Sequence, residues 1–330
     1  MTGQGMTTYH LTLCPLSALG TPLAGDTLFG QLCWTLRHQL GNDALTTLLD
    51  GYTQGQPFAV VSDALPHGHI PLPSLPSSAW QTSDGSDRKA LKKKRWMPLS
   101  SLREQLLTWQ QMAASDADLG KAEERAQPHN TINRQTGTTG TGMFAPYTMG
   151  QTWLRPGTLL DIVVVLDEAR LPLAQLQAAF AYMGAHGYGR DASIGLGKFE
   201  LVGDAEAITW DQPSQGRANA WLTLAPCAPQ GQGFCPVRSH WHSVTRFGRH
   251  GDIAVQSGQP FKRPVLLAKA GSVFWPEQLD PAQAFIGQGL GGQDAPVSLT
   301  MPETVHQGYA PAVPIHIPET IAASAVLESV

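Results

Sequence analysis

Between Gly187 and Glu200 the chain reads Gly-Tyr-Gly-Arg-Asp-Ala-Ser-Ile-Gly-Leu-Gly-Lys-Phe-Glu, with four glycines, two basic residues and a serine in one short stretch. Glycine leaves neighbouring main-chain N–H groups unshielded, so such a loop can hold an oxyanion while Arg190 and Lys198 add positive charge. The chemistry on offer is capture of a phosphodiester strand by Gly187, Tyr188, Gly189, Arg190, Ser193, Gly195, Gly197 and Lys198. The competing reading is a long turn whose glycines serve positive-φ positions.

Groups able to break bonds are harder to find. Eleven histidines raise metal and acid–base chemistry, and His67-x-His69 and His240-x-His242 each put two imidazoles on one strand face. No carboxylate or thiolate cluster completes either pair, so neither a metal nor a cofactor is expected. No G-x-S-x-G, H-E-x-x-H or paired-carboxylate motif occurs. His38, beside Arg37 at the end of the first predicted helix, is the one candidate general base for a metal-independent ribonuclease. It has no second acid, tyrosine or lysine nearby, and the chain is expected not to be an enzyme.

The elements around the glycine stretch fix its meaning. Leu173, Leu176, Ala179, Phe180 and Met183 recur at helical spacing behind Pro172, and Phe199, Leu201 and Val202 open a strand. The order is helix, loop, strand. A dinucleotide fingerprint needs the reverse order, and no G-x-x-x-x-G-K-S/T string is present, so nucleotide-cofactor loops are excluded.

The chain has 330 residues, 42% of them hydrophobic, with 34 glycines and 25 prolines, enough for two domains rich in turns. A formal net charge of −4 argues against coating nucleic acid by bulk charge and leaves room for a local basic groove. Arg88, Lys89, Lys92, Lys93, Lys94 and Arg95 supply such a patch. Four dispersed cysteines read as reduced thiols, the first eight residues carry no leader pattern, and an apolar run such as Ile162 to Leu166 is too short for a bilayer. A cytoplasmic chain with no membrane contact is expected.

Along the chain, Tyr9–Leu13 alternates as a strand. Leu28, Phe29, Leu32, Cys33, Leu36 and Leu40 form a helical stripe with Asp26 as its expected N-cap. Phe58–Val61 is a second strand. Residues 77–156 interrupt the pattern with the basic run, a predicted helix over Leu99–Met112 and a charged stretch, Ser115–Gln127, of a composition that orders on assembly. An arm follows, carrying His129, Asn130, Asn133, Arg134, Thr136, Phe144 and Tyr147. Its amides and Arg134 suit phosphate and sugar oxygens, and its aromatics suit base stacking. A polar surface hairpin is the alternative.

Leu159–Leu166 reads as a buried central strand. The order β-α-β-(insert)-β-α-β is that of the split βαβ, ferredoxin-like arrangement. An α+β fold of two tandem ferredoxin-like domains is therefore expected, with boundaries at residues 1–205 and 206–330 and the insert supplying a hairpin thumb. In the second half, strands are predicted at Ala220–Leu224, His242–Phe247, Phe261–Lys269, Val273–Trp275, Val297–Leu299 and Val313–Ile317. Gly287 and Gly289 belong to a second glycine-rich loop, and residues after Glu319 to a poorly ordered tail.

Three features together resemble the RAMP superfamily of CRISPR proteins: Gly25-Asp26-Thr27-Leu28-Phe29-Gly30-Gln31-Leu32-Cys33-Trp34, the Asn-x-Ile-Asn-Arg-x-Thr-Gly arm, and the Gly187–Gly197 loop. The helix motif and Gln307-Gly308-Tyr309 are most similar to the fourth-subunit group of type III-A (Csm) effector complexes. The resemblance implies a non-catalytic scaffold that grips the repeat-derived 5′ tag of the guide RNA (crRNA). It would contact a large polymerase-like subunit and a backbone RAMP subunit, and meet target RNA indirectly. It further implies that the arm residues act as a thumb and Gly187, Gly189, Arg190, Ser193, Gly195 and Lys198 as a tag-binding loop. Independently of the resemblance, Lys92, Lys93, Lys94 and Arg95 lie in the same insert as the arm and are read as added RNA-binding charge. His129 and Asn133 depart from the basic residue and aspartate common in that group. A processing endoribonuclease and the equivalent type III-B subunit remain the alternatives.

Overall fold

The computed structural model describes residues 5–80, 87–120, 122–211, 213, 216–250, 260–319 and 321. The chain opens with β1 (Thr7–Pro15), in which Tyr9, Leu11 and Leu13 are buried while His10 and Thr12 stand half-buried on the other face. This period-two alternation is that of a strand with two different faces. Helix α1 (Gly25–Leu40) buries Leu28, Phe29, Leu32 and Leu36 of the predicted stripe, while Cys33 is half-buried and Leu40 is exposed. Asp26 is not its N-cap. Ala24 holds that position in extended conformation, and the Gly25 N–H donates instead to the Asp63 carboxylate at 2.7 Å. A Cβ on Gly25 would lie 2.3 Å from the Val61 carbonyl oxygen, so only glycine lets the helix start this close to the next strand. Helix α2 (Asn42–Leu49) and strands β2 (Ala59–Val61), β3 (Leu65–Pro66) and β4 (His69–Pro71) follow.

The insert builds two small sheets. Helix α3 (Arg88–Lys93) carries much of the basic run into β5 (Lys94–Pro98), which pairs with β4 and with β6 (Ala114–Ser115). The helix expected over Leu99–Met112 is broken into two short 3-10 turns and one turn of helix, α4 (Trp109–Met112). The break falls at Glu104 and Gln105, whose extended backbone lets Leu102, Leu106 and Trp109 all enter one apolar cluster. Strands β7 (Glu123–His129) and β8 (Tyr147–Trp153) then form an antiparallel hairpin. Glu123–Gln127, expected to order only on assembly, stands in its first strand.

Strand β9 (Leu160–Leu166), helix α5 (Leu173–His186) and strand β10 (Phe199–Ala207) complete the first half. Its main sheet has the order β10–β1–β9–β2, every neighbouring pair antiparallel, with β3 also against β9. α1 and α5 pack beside each other against the face that holds Tyr9, Leu11, Leu13, Ile162 and Val164.

In the second half β11 (Ala220–Thr223), β12 (Ser243–Arg246), β13 (Val265–Ala268), β14 (Val273–Phe274), β15 (Phe285–Gly291) and β16 (Val305–Ile315) are all strands. Four of them order as β14–β11–β16–β15, and β12 pairs with β13. Among the described residues, the two long helices lie in the first half. Three expectations fail here. The stretch holding Gly287 and Gly289 is strand β15, not a loop. A Cβ on Gly287 would meet the Gly308 carbonyl oxygen at 2.1 Å and one on Gly289 the Tyr52 carbonyl oxygen at 2.5 Å, so both glycines are buried close-approach points. Val297–Leu299 forms no strand. The last strand begins at Val305, eight residues before the predicted Val313, because its prolines mask it: β16 changes partners at Pro311, from β15 to β11. The expected tail after Glu319 lies outside the described residues except Ile321, which is buried. The architecture is α+β, built from several small antiparallel sheets.

The two halves are clamped through residues of the Gln307-Gly308-Tyr309 motif. The Gln307 side chain, fully buried, accepts from the Val61 N–H at 2.9 Å and donates to the Val61 carbonyl at 2.8 Å, acting as one more rung on β2. Tyr309 donates from its hydroxyl to the Tyr52 carbonyl at 2.6 Å. Asp26, buried, faces Arg246 Nε at 3.0 Å and His306 Nε2 at 3.5 Å. Burial works against its ionised form, but the contacts from His306 and Arg246 prevail and hold its pKa below the ordinary carboxylate value. The Asp26 of the helix motif is therefore a cross-connection between α1, β12 and β16.

Candidate nucleic-acid interface

Gly187 ends α5 at φ 97°, its N–H returning to the Met183 carbonyl at 2.9 Å, as a helix C-terminus in positive φ requires. From there the chain makes an arc closed at its base and open at its crown. Tyr188 is fully buried, and its hydroxyl donates to the Pro22 carbonyl at 2.8 Å. Its amide pairs with the Gly197 carbonyl, while the Gly197 N–H donates to Ala18. A Cβ on Gly197 would lie 2.1 Å from the Tyr188 oxygen. Gly187, Tyr188 and Gly197, expected as contacts, are the closure of the loop and do not reach solvent; only burial could have told them from the rest.

The crown is exposed at Arg190, Ser193 and Ile194. Asp191 stands at φ 65°, the one non-glycine residue at positive φ among those described. Glycine does not free every amide. Those of Arg190, Ile194, Gly195, Leu196 and Lys198 already donate within the protein. The N–H groups of Gly189, Asp191, Ala192 and Ser193 have no acceptor among the described residues. They form a short run of donors under the exposed Ser193 hydroxyl.

Two other segments meet this loop. The connection after β1 runs beneath it: Thr21 accepts from the Arg190 N–H at 2.9 Å, Ser17 from the Lys198 N–H at 2.9 Å, and a Cβ on Gly20 would strike the Arg190 carbonyl at 2.5 Å. The hairpin reaches it from the side. Arg190 donates to the Gly150 carbonyl at 2.6 Å and pairs with Asp191 at 3.3 Å, while Leu19 and Thr152 exchange main-chain hydrogen bonds. Ser17, Gly20, Thr21 and Gly150 were not singled out in the sequence. Their small size between two apolar elements was the only signal.

A groove of about 890 Å³ lies at the base of the hairpin beside the end of β1, lined by Cys14, Leu16, Ser17, Glu123, Arg125, Trp153 and Arg155, and no residue of the Gly187–Lys198 loop is in its wall. Arg125 bridges to Glu123 at 2.7 Å and sits 5.1 Å from the centre of the Trp153 ring. The hairpin tip carries the remaining arm residues. His129 and Tyr147 stack at 5.4 Å and 14°, and Asn130, Arg134 and Thr136 are exposed. Asn133 is spent on its own turn, its side chain accepting from the Gln135 N–H at 2.9 Å. Phe144 is half-buried beside the tip. Lys92, Lys93, Lys94 and Arg95 belong elsewhere, to α3 and the β4–β5–β6 sheet. There Lys94 donates to the Gln111 carbonyl at 2.5 Å and Arg95 pairs with Asp116 at 3.2 Å. His38 sits on the exposed last turn of α1, edge-on to Trp34 at 6.5 Å.

The fold matches solved structures. In a Csm1–Csm4 cassette in complex with pppApA, the likeness covers 95% of this chain and 99% of the other, at 15% identity and a TM-score of 0.58. In a Csm3–Csm4 subcomplex of the type III-A CRISPR–Cas interference complex it covers 93% and 99%, at 13% identity and a TM-score of 0.59. A Csm1–Csm4 cassette in complex with cA4 gives 94% and 99%, at 15% identity and 0.57. Csm4 is the component these assemblies share. The fold is that of a Csm4-like subunit. No protein-family model matches the chain, and no curated protein does, so the likeness is one of three-dimensional structure over nearly the whole of both chains. No helix among the described residues is long and apolar enough to cross a membrane.

Proposed function

We propose that this chain is a non-catalytic guide-RNA-binding scaffold subunit of a type III-A (Csm) ribonucleoprotein, holding the repeat-derived 5′ tag of crRNA. The observation that carries this is the joining of the exposed loop crown to the hairpin through Arg190. An RNA strand laid there meets main-chain donors at Gly189 and Asp191–Ser193, the exposed cation of Lys198, and the polar and aromatic tip of the hairpin. The Csm4-like fold supports the assembly. By analogy with the Csm1–Csm4 and Csm3–Csm4 structures, a large polymerase-like subunit and a backbone RAMP subunit are its neighbours, and target RNA is met through them.

In this reading the β10–β1–β9–β2 sheet with α1 and α5 is a ferredoxin-like domain, the second half a degenerate, helix-poor counterpart, and the β7–β8 hairpin a thumb. The cell compartment is the cytoplasm. The test is capture of tagged guide RNA by the reconstituted complex. Replacing Lys198 and Ser193 together by alanine should weaken it several-fold and flatten its salt dependence, since phosphate contacts release counterions. Undiminished capture by an intact complex would overturn the assignment.

A further inference from the structure

Outside the loop and hairpin, three side chains far apart in sequence converge on the face of the first sheet turned away from α1 and α5. Asp161 on β9 lies opposite Thr12 on β1 and is buried. Its Oδ1 lies 3.1 Å from His10 Nε2 and 2.8 Å from Nδ1 of His67, which stands in the turn between β3 and β4. The Thr12 hydroxyl also donates to Oδ1 at 3.1 Å, and the Gly68 N–H to Oδ2 at 2.7 Å.

We infer that His10, His67 and Asp161 form a mononuclear site for a divalent transition-metal ion of the zinc and cobalt class. Three donors crowd one carboxylate oxygen that offers about two lone pairs, a load relieved when a cation takes the place of the two imidazole protons. Each neutral imidazole can move its proton to its other nitrogen, so no net charge has to be expelled. The three ligand atoms lie within 4.8 Å of one another. Ligands at about 2.1 Å from one ion stand about 3.0 Å apart in an octahedron and about 3.4 Å in a tetrahedron. The two His–Asp separations, 3.1 and 2.8 Å, are already of that size, and the imidazole pair closes by at most about 1.4–1.8 Å to complete the site.

Two imidazoles and one carboxylate suit zinc, cobalt, nickel or iron and disfavour magnesium and calcium. The surroundings are those of a supported site. Thr12 and the Gly68 N–H orient the carboxylate, and Glu206, opposite His10 on β10, adds negative charge. The His67 side chain is 54% exposed, which leaves coordination positions facing solvent. Sequence spacing could not reveal this set, because the partner of His67 is neither His69 nor any neighbour but a residue 94 positions away.

The test uses the full chain, stripped with a chelator and titrated with Co²⁺ as a spectroscopic probe and with Zn²⁺ in competition. One equivalent of Co²⁺ should bind with a visible ligand-field band that Zn²⁺ removes. His67→Ala and His10→Ala should each weaken binding at least tenfold, while His69→Ala leaves it unchanged. His67 projects from a turn, so its variant remains decisive should His10→Ala fail to fold. The same affinity in wild type and His67→Ala, or no saturable binding in wild type, would overturn the inference and leave the cluster as a hydrogen-bonded latch on the β3–β4 turn.

Discussion

Arg190 donates a hydrogen bond to the main-chain carbonyl of Gly150 at 2.6 Å, and through it the crown of the glycine loop and the second strand of the hairpin become one surface. The same guanidinium pairs with Asp191 at 3.3 Å. Its rigid planar fork sets the directions of both contacts, which a compact ammonium on a flexible stem does not.

Arg190→Lys therefore separates anchoring from charge. The lysine keeps the cation and loses the shared contact, so amide hydrogen exchange over Tyr147–Trp153 should quicken in the lysine variant as much as in Arg190→Ala. Retained protection in Arg190→Lys would show that the contact does not hold the hairpin.

The glycines of the loop divide by what surrounds them. Gly197 at φ 71° has a carbonyl 2.1 Å from the place of a Cβ, whereas Gly195 at φ 98° has open space. Gly197→Ala should cost about 3 kcal/mol, from left-handed strain plus a backbone clash. Gly195→Ala should cost about 1 kcal/mol, from strain alone. Urea unfolding of the two variants measures the difference.

Gln307 is expected to be the side chain whose loss most weakens the contact between the halves. Gln307→Leu preserves bulk and leaves the Val61 N–H and carbonyl buried without partners, a loss of about 3 kcal/mol. The check is urea unfolding. A second transition, or a midpoint clearly lowered, is expected; an unchanged curve would mean that the β2 edge is satisfied in some other way.

Asp63 sets a pH dependence. Burial, opposed by the Gly25 N–H, pushes the pKa of its carboxyl up to about 7, against about 3.9 in an unfolded chain. Between these values the unfolded state has already lost a proton that the folded state keeps, so this group makes stability fall as pH rises from about 4 to 7. Asp63→Asn, which can still accept from Gly25, should melt higher than wild type at pH 8 and lose that advantage at pH 4. Thermal melts across this range decide it.

Much of the fold was legible because its signals are local. The stripe of α1, the alternation of β1, the apolar run of β9 and the helix–loop–strand order around Gly187 all depend on neighbours within a few residues. The failures share a cause as well. Asp26 resembles a helix cap, and Gly287 and Gly289 resemble a loop, until residues from distant parts of the chain arrive beside them. In β16 the prolines argue against a central strand, yet the strand exchanges partners at Pro311 and tolerates them.

The sequence by itself determined which residues form the glycine loop, the hairpin arm and the elements that carry them, since backbone propensity and periodicity act over short separations. Only the tertiary structure decided that Tyr188 closes the loop and does not line it, that Arg190 belongs to the hairpin as well as the loop, and that His67 meets His10 and Asp161. Those outcomes depend on burial and on contacts between strands tens to hundreds of residues apart, which no local pattern records.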